Sequence, residues 1–428
     1  MFFNRRVLPP DMEGRSLFGM SLTDDEKGAF KLHLISQVLG AVAVGVMMNH
    51  DYIATNGLGA SVMQITLLTM IWPVSNLFSV LVSHFVDSTN RHSSAIFMGA
   101  ALRLPIALMF FSSSVNFMLI LLFLYFSSNS LVIPGQNAVM RSRYKKGHRG
   151  LLFGWTMSAL NLFALPAAMM VGALLDADFS YYRWLFVFEG VMGCAQASVM
   201  GLMARGMKDP VAVAESSLSD FFRSIRQVMK GDREFVKFEA FFMIYGFGFM
   251  TIQPAIPFFS QEVLGLSYEQ YALAKGVIGQ LGLLLLAPFL GAKMDKLHPF
   301  KFTGVVCMIL AGFPLLLVGS SLIPSLGIPL FYAAWVAFAI GIAGVVLSWN
   351  MSSMFFAPEG RTATYQGLHV TATAMRGFFA PVLGSVVMEY FGFTANFLLS
   401  FFFFSTASIL FLIHYRKRCR MGLNPGFC

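Results

Sequence analysis

The stretch Ala101 to Phe111, ALRLPIALMFF, places one arginine inside an otherwise apolar run. No other charge lies between Ser93 and Ser112, so Arg103 sits near the centre of roughly twenty uncharged residues. A guanidinium keeps its proton at any ordinary pH, so it stays charged wherever the run lies. A run of this length is also what a bilayer core of about 30 Å asks of a helix rising about 1.5 Å per residue. The rest of the chain decides whether Arg103 belongs to a water-soluble core or to lipid.

Of the 428 residues, 57% are hydrophobic and only 12% charged. A soluble domain carries roughly 25% charged residues, so this chain could not cover its own surface in water. Hydropathy resolves twelve apolar spans: 30–55, 60–86, 93–112, 115–139, 150–175, 182–204, 235–262, 267–291, 301–322, 328–356, 366–391 and 394–415. They are numbered span 1 to span 12 below. The fold class that follows is an all-α polytopic membrane protein.

A net charge of +9 suggests nucleic acid in a soluble protein, but here topology accounts for it. With the amino terminus inside, 25 of the 30 Lys and Arg fall in inner segments or at the span ends beside them. The outer loops hold Arg183 alone, and Arg103, Lys237, Lys275 and Arg376 lie within spans. This asymmetry predicts two cytoplasmic termini in a multi-pass membrane protein, with no nucleic-acid partner. The first 29 residues are polar and mixed in charge, with no cleavage pattern after the first apolar run. Cys194, Cys307, Cys419 and Cys428 show no metal-ligand spacing, and neither a metal site nor a cofactor is expected.

The predicted organisation is a tail (1–29), a six-helix bundle (30–204), a polar linker (205–234), a second six-helix bundle (235–415) and a basic tail (416–428). Within the linker, Leu218, Phe221, Phe222, Ile225, Val228 and Met229 recur at helical spacing, with Arg223, Arg226 and Lys230 elsewhere. That pattern predicts an amphipathic helix lying at the membrane surface, or docking a partner. The halves also repeat. SHFVDSTNR (Ser83 to Arg91) follows span 2 and GAKMDKLHP (Gly291 to Pro299) follows span 8, their aspartates 208 positions apart. Pro166 and Pro381 differ by 215, and Gly172 and Gly384 by 212. Paired six-helix halves with a ligand site between them at mid-depth form a transporter architecture.

On these residues the chain resembles the major facilitator superfamily over its full length. Gly291-x-x-x-Asp295-Lys296 fits that family's G-x-x-x-D-[RK] cytoplasmic loop motif. The first-half copy is degenerate, with Ser83 for the glycine and Ser88 for the basic residue, leaving Asp87 and the later Arg91. LPAAMMVG in span 5 does not match the family's antiporter motif. The resemblance implies twelve helices in two pseudo-symmetric bundles, alternating access, and gating by Asp87 with Arg91 and Asp295 with Lys296. In length and in the opening segment TDDEKGAFKLHLISQVLG (Thr23 to Gly40), the chain is similar to the MamH-type proteins of magnetosome membranes. That likeness implies iron transport in biomineralization.

Charge at mid-membrane costs at least about 2.5–3.5 kcal/mol and faces a partner or a wet cavity. Arg376 is one candidate for substrate or proton-linked work, since His369, Thr373 and Arg376 form a polar stripe at i, i+4 and i+7 of span 11. Arg103 is either a second ligand group or a brace between helices. Lys275, Asn129, Asn161, Gln280 and Asn350 are the remaining candidates for substrate binding. Asp51, beside His50, and Glu189 are candidates for proton coupling, because few other acids lie within spans. Glu239, near the cytoplasmic mouth of span 7, is expected to snorkel with Lys237. A bare metal ion would want histidine and carboxylate together, and neighbours such as His50 and Asp51 point about 100° apart on a helix.

The expected function is secondary transport of a small polar or anionic solute or ion by a monomer in a lipid bilayer, with iron or an iron chelate as the specific case. The alternative is a non-transporting scaffold that recruits partners through its linker and basic tail. No phosphate-binding loop of the G-x-x-x-x-G-K-[ST] type occurs, and no catalytic motif stands at membrane depth, so an enzyme is not expected.

Overall fold

The computed structural model describes residues 22–89, 91–145, 148–205, 218–294, 296–358 and 362–422, with the backbone alone at 76–89 and at some other helical positions. The described residues form helices and turns, with no strand among them. Among the described residues, nine helices are long and apolar enough to cross a bilayer. Three local features connect that number to the twelve spans. Thr362–Arg420 runs for 59 residues, but Gly392 adopts φ 83° and divides it into spans 11 and 12. Span 2 is the helix Val62–Thr89, whose described apolar part is short. Span 8 begins as the turns Tyr268–Tyr271 and Ala272–Ile278 before the helix Gly279–Met294.

Span 1 packs on spans 5 and 6, and span 3 on spans 4 and 6; in the second half span 7 packs on spans 11 and 12, and span 9 on spans 10 and 12. Small residues let these helices approach closely, as in many membrane bundles. A Cβ at Gly45 would lie 2.6 Å from that of Ala167, and one at Gly282 would lie 1.8 Å from the Ala339 carbonyl oxygen. The halves meet along two seams, span 2 against span 11 and span 5 against the start of span 8. Duplication makes span 2 the counterpart of span 8, and span 5 that of span 11. The seams therefore exchange under one pseudo-twofold operation, as paired six-helix bundles require.

The most exact repeat lies in the outer turns, apart from the loop aspartates and the span prolines and glycines. Leu58-Gly59-Ala60-Ser61-Val62-Met63-Gln64 and Leu264-Gly265-Leu266-Ser267-Tyr268-Glu269-Gln270 share L-G-x-S-x-x-Q. Both follow a five-residue π-turn, Ile53–Gly57 and Phe259–Val263. Both glycines take left-handed φ, 68° and 60°, which a side chain would oppose. Ser61 and Gln64 bond reciprocally, as do Ser267 and Gln270. Each serine starts a helix that its glutamine helps cap.

The linker helix is Leu218–Gly231. Its described apolar side chains lean on the second half: Val228 is buried with Phe235 and Tyr365, while Met229 is exposed. Docking onto protein takes up part of the face that the sequence pattern assigned to the membrane surface.

Candidate functional site

Span 1 leaves regular helix before its outer end. Asp24–Met47 stops, Asn49 turns with φ −106° and ψ 0°, and a short turn His50–Tyr52 follows. Asn49 steadies this break by donating from Nδ2 to the carbonyls of Gly45 (3.1 Å) and Ala168 (3.4 Å). The break sends consecutive side chains in opposite directions. His50 turns into the first half, where Nε2 meets Glu189 Oε2 of span 6 at 2.7 Å, both residues being buried. Asp51 turns across to the second half. Its Oδ2 accepts from the Tyr271 hydroxyl at 2.8 Å and pairs with the Lys275 ammonium.

These groups border a cavity of about 230 Å³ between the halves, lined by His50, Asp51, Thr69, Phe126, Gln253 and Lys275 among others. Above it the halves are fastened by aromatic rings and backbone bonds. Tyr52 stacks on Tyr271 with centroids 4.2 Å apart, and its hydroxyl bonds to the Leu266 carbonyl. Asp176, at the end of span 5, accepts from the amides of Tyr268 and Glu269, each at 2.8 Å. A carboxylate at a helix N-terminus satisfies amides that the helix leaves unpaired. Thr66 and Ser385 bond across the other seam. These closures lie at the end of the molecule opposite Asp24 and Arg420, where the helix of span 1 begins and that of span 12 ends.

Arg103 lies outside that cavity's lining. Span 3 is α-helical only over His92–Ala101, and Arg103 precedes a 3₁₀ segment, Leu104–Phe111, with Pro105 in its first turn. The guanidinium is buried and bonds to neutral acceptors on two neighbouring spans: Ser128 Oγ at 3.0 Å, Asn129 Oδ1 at 2.9 Å, the Gly193 carbonyl at 3.0 Å, and Gln196 Oε1. Its carbon also lies 5.4 Å from the centroid of the Tyr125 ring. Four oriented dipoles and a ring face stabilise the charge without a carboxylate in its hydrogen-bonding shell. The arrangement fastens spans 3, 4 and 6 together, and it makes Asn129 part of that fastening.

Arg376 is likewise buried, and is absent from the lining of the cavity at Asp51. Its Nη1 donates to the Phe242 carbonyl at 2.8 Å, and its carbon lies 5.1 Å and 5.4 Å from the Phe242 and Tyr245 rings. It fills the space left by Gly246, where a Cβ would lie 2.0 Å from Nη1. The stripe of span 11 instead faces spans 7 and 10. His369 Nδ1 lies 2.8 Å and 3.0 Å from the two Glu239 carboxylate oxygens, and Trp349 donates to Thr373 at 3.4 Å. Glu239 is therefore buried on His369 rather than snorkelling with Lys237, whose ammonium pairs with Glu234 at 2.9 Å. Its apolar neighbours in span 7 gave no signal of this, because the partner lies 130 positions away.

Among the other candidates, Asn161 bonds to the Met157 carbonyl of its own helix at 3.0 Å, and Gln280 is half-buried in span 8. Arg91 and Lys296 are exposed. The side chains of Asp87 and Asn350, and the whole of Asp295, lie outside the described residues. No group of three histidine, cysteine, aspartate or glutamate side chains among the described residues could hold a metal ion.

A family model described as Major Facilitator Superfamily matches residues 32–381. The chain belongs to the major facilitator superfamily. Solved structures give the same fold. A bacterial homolog of the human lysosomal transporter Spinster, in an inward-facing and unoccupied conformation, superposes with TM-score 0.69 at 15% identity, over 93% of this chain and 98% of that one. A POT family transporter in complex with 5-aminolevulinic acid gives 0.68 at 16%, over 94% and 97%. The nucleoside transporter NupG gives 0.66 at 12%, over 91% and 98%. Comparison with curated proteins finds no match. The superfamily member is thus a multi-pass membrane protein with the fold of a secondary transporter.

Proposed function

We propose that this superfamily member is a secondary active transporter that moves a small polar or anionic solute by alternating access, using the cavity at Asp51 and Lys275. The observation that carries the reading is the ion pair itself, because one partner belongs to each half and both line the cavity. An anionic group entering the cavity competes with Asp51 for the ammonium, and a proton on Asp51 releases that ammonium for it. Either event loosens a contact that holds the outer end shut. Solute binding, proton binding and gate opening thereby share one pair of charges. Glu189 with His50, directly behind the wall, is the second proton-holding group.

In this reading both termini face the cytoplasm of a bacterial inner membrane, in keeping with the placement of basic residues. Iron carried as a chelate into magnetosomes is the specific case implied by the likeness of the opening segment. The lining favours a chelate over a bare ion, since its one carboxylate, Asp51, is paired with the Lys275 ammonium, and no group of three metal-ligating side chains stands among the described residues. The test is uptake into proteoliposomes of ferrous iron, iron–citrate and simple organic anions, with and without a pH gradient. Saturable uptake of an anion or chelate that falls in K275Q and D51N supports the reading. Equal leakage in wild type and empty liposomes for every solute, from correctly folded protein, would favour a scaffold instead.

A further inference from the structure

The cavity is lined by Asp51 of span 1, with Glu189 of span 6 behind its wall on His50, but a third acid is buried in the other half with no part in that lining. Glu239 of span 7 is 7% exposed, its partner His369 of span 11 is 1% exposed, and Arg376, two turns along from His369, is 3% exposed. Nδ1 of His369 is engaged by both carboxylate oxygens, while Nε2 is buried with no hydrogen-bond partner among the described residues. The ring is wrapped by Phe242, 5.1 Å between centroids, and by Trp349, 5.6 Å away in an edge-to-face arrangement. Such an imidazole has one nitrogen fixed against an anion and the other waiting for a proton.

We propose that Glu239 and His369 form a further proton-binding site, in the second half and nearer than the cavity to the end where span 1 begins and span 12 ends. The proton adds to Nε2 of His369, and the imidazolium so formed is balanced by the Glu239 carboxylate already on Nδ1. Trp349 and Phe242 supply aromatic surface to the new cation. Every neighbouring span contributes a group that sets the balance. Arg376 of span 11 opposes the added charge, and Tyr245 of span 7 and Cys307 of span 9 lie within electrostatic reach of that arginine. Lys237 takes no part, being turned to Glu234. With the ring neutral, Glu239 and Arg376 cancel; with the proton bound, the cluster carries one net positive charge among spans 7, 9, 10 and 11. The site thus couples proton occupancy to the packing of span 11, which also forms the seam with span 2. This inference rests on the proposed proton coupling only for its use in transport, because proton binding itself can be read without any solute.

Trp349 is the built-in reporter, since a protonated imidazole quenches an adjacent indole. The full-length protein in lipid nanodiscs is titrated from neutral to acid pH while tryptophan fluorescence is recorded, and the same titration of W349F is subtracted. A reversible quench of the Trp349 component is expected. It is lost in H369Q, kept in E189Q, and displaced toward acid by about 1–3 pH units in E239Q, which removes the balancing charge. H369N guards against misfolding of one variant, with helix content and thermal melting checked for each protein. A Trp349 component that does not titrate in well-folded wild type overturns the proposal, as does a quench that survives H369Q or vanishes in E189Q. Should the quench behave as described while no solute responds to a pH gradient, the proton site stands and the proposed coupling falls.

Discussion

The Asp51 carboxylate and the Lys275 ammonium come from opposite halves of the duplicated fold and pair at the wall of the cavity between them, with the Tyr271 hydroxyl on the same carboxylate oxygen. Span 1 brings Asp51 there only because the helix breaks at Asn49, and Lys275 sits in the π-helical turn Ala272–Ile278 that opens span 8. Irregular helix at membrane depth is tolerated where it lines a cavity. Both partners of this pair stand on such segments.

Removing either charge should loosen the outer end. A hydrogen bond to a charged group contributes about 1.5–3 kcal/mol, enough to change the ratio of closed to open outer ends about tenfold. Spin labels at Met63 and Glu262, both on exposed outer positions, should show a longer-distance population in D51N and K275Q. The reversed pair, D51K with K275D, should recover the short distance at least in part. Unchanged distances in both single variants would show that the tyrosine stack alone holds the gate.

Arg103 should behave as a structural brace. Its replacement strands a buried carbonyl and three side-chain acceptors on spans 4 and 6, each costly to leave unpaired. R103L is expected to lower unfolding stability by at least about 2 kcal/mol, read as a fall in thermal midpoint in detergent. R103K should rescue little, because an ammonium cannot reach that fork of acceptors. Wild-type melting of R103L would sink the assignment.

Two glycines should answer an added methyl group differently. G282A would drive a Cβ into the Ala339 carbonyl, backbone against backbone, and should destabilise the second half by about 1–3 kcal/mol through overpacking. G246A meets only the end of the Arg376 side chain, so the arginine must move while the helices need not. G246A should therefore resemble R376A in transport and in the Trp349 titration, yet melt closer to wild type than G282A does.

His298, in the turn before span 9, gives a pH dependence with a definite sign. Its Nδ1 accepts from the Phe300 amide at 3.3 Å, and the residue is buried. Burial, with Arg418 nearby, pushes its pKa down from 6.5 to about 4. The unfolded chain therefore binds the proton first as the medium is acidified. The contribution of the neutral ring is complete above about pH 6.5 and is lost as pH falls toward about 4, amounting to roughly 3 kcal/mol at most. H298N keeps a side-chain acceptor for the helix start and should flatten the acid limb of a stability-against-pH curve. An identical acid limb in H298N would remove His298 as its source.

The partners of the buried charges could not be found from spacing. His50 meets Glu189 from 139 positions away, and Glu239 meets His369 from 130. A helix shows on its own sequence which residues share a face, as the stripe His369, Thr373 and Arg376 does, but not which helix that face meets. The stripe was legible and its direction was not, so Arg376 came to rest on Gly246 instead of in the cavity at Asp51. The L-G-x-S-x-x-Q repeat was legible too, lying in outer turns, while Asp87 with Asp295 and Pro166 with Pro381 carry the duplication in inner loops and spans.

The amino-acid sequence by itself determined the membrane setting, the number of crossings and the duplication, because hydropathy, helix rise and repeated turn chemistry act over neighbouring residues. Tertiary structure alone decided that Asp51 and Lys275 face each other, that Arg103 rests on neutral dipoles, and that Glu239 is enclosed with His369. The physical reason is that a charge in lipid is stabilised by whatever stands within a few ångströms, and in a bundle of helices that neighbour is supplied by distant parts of the chain.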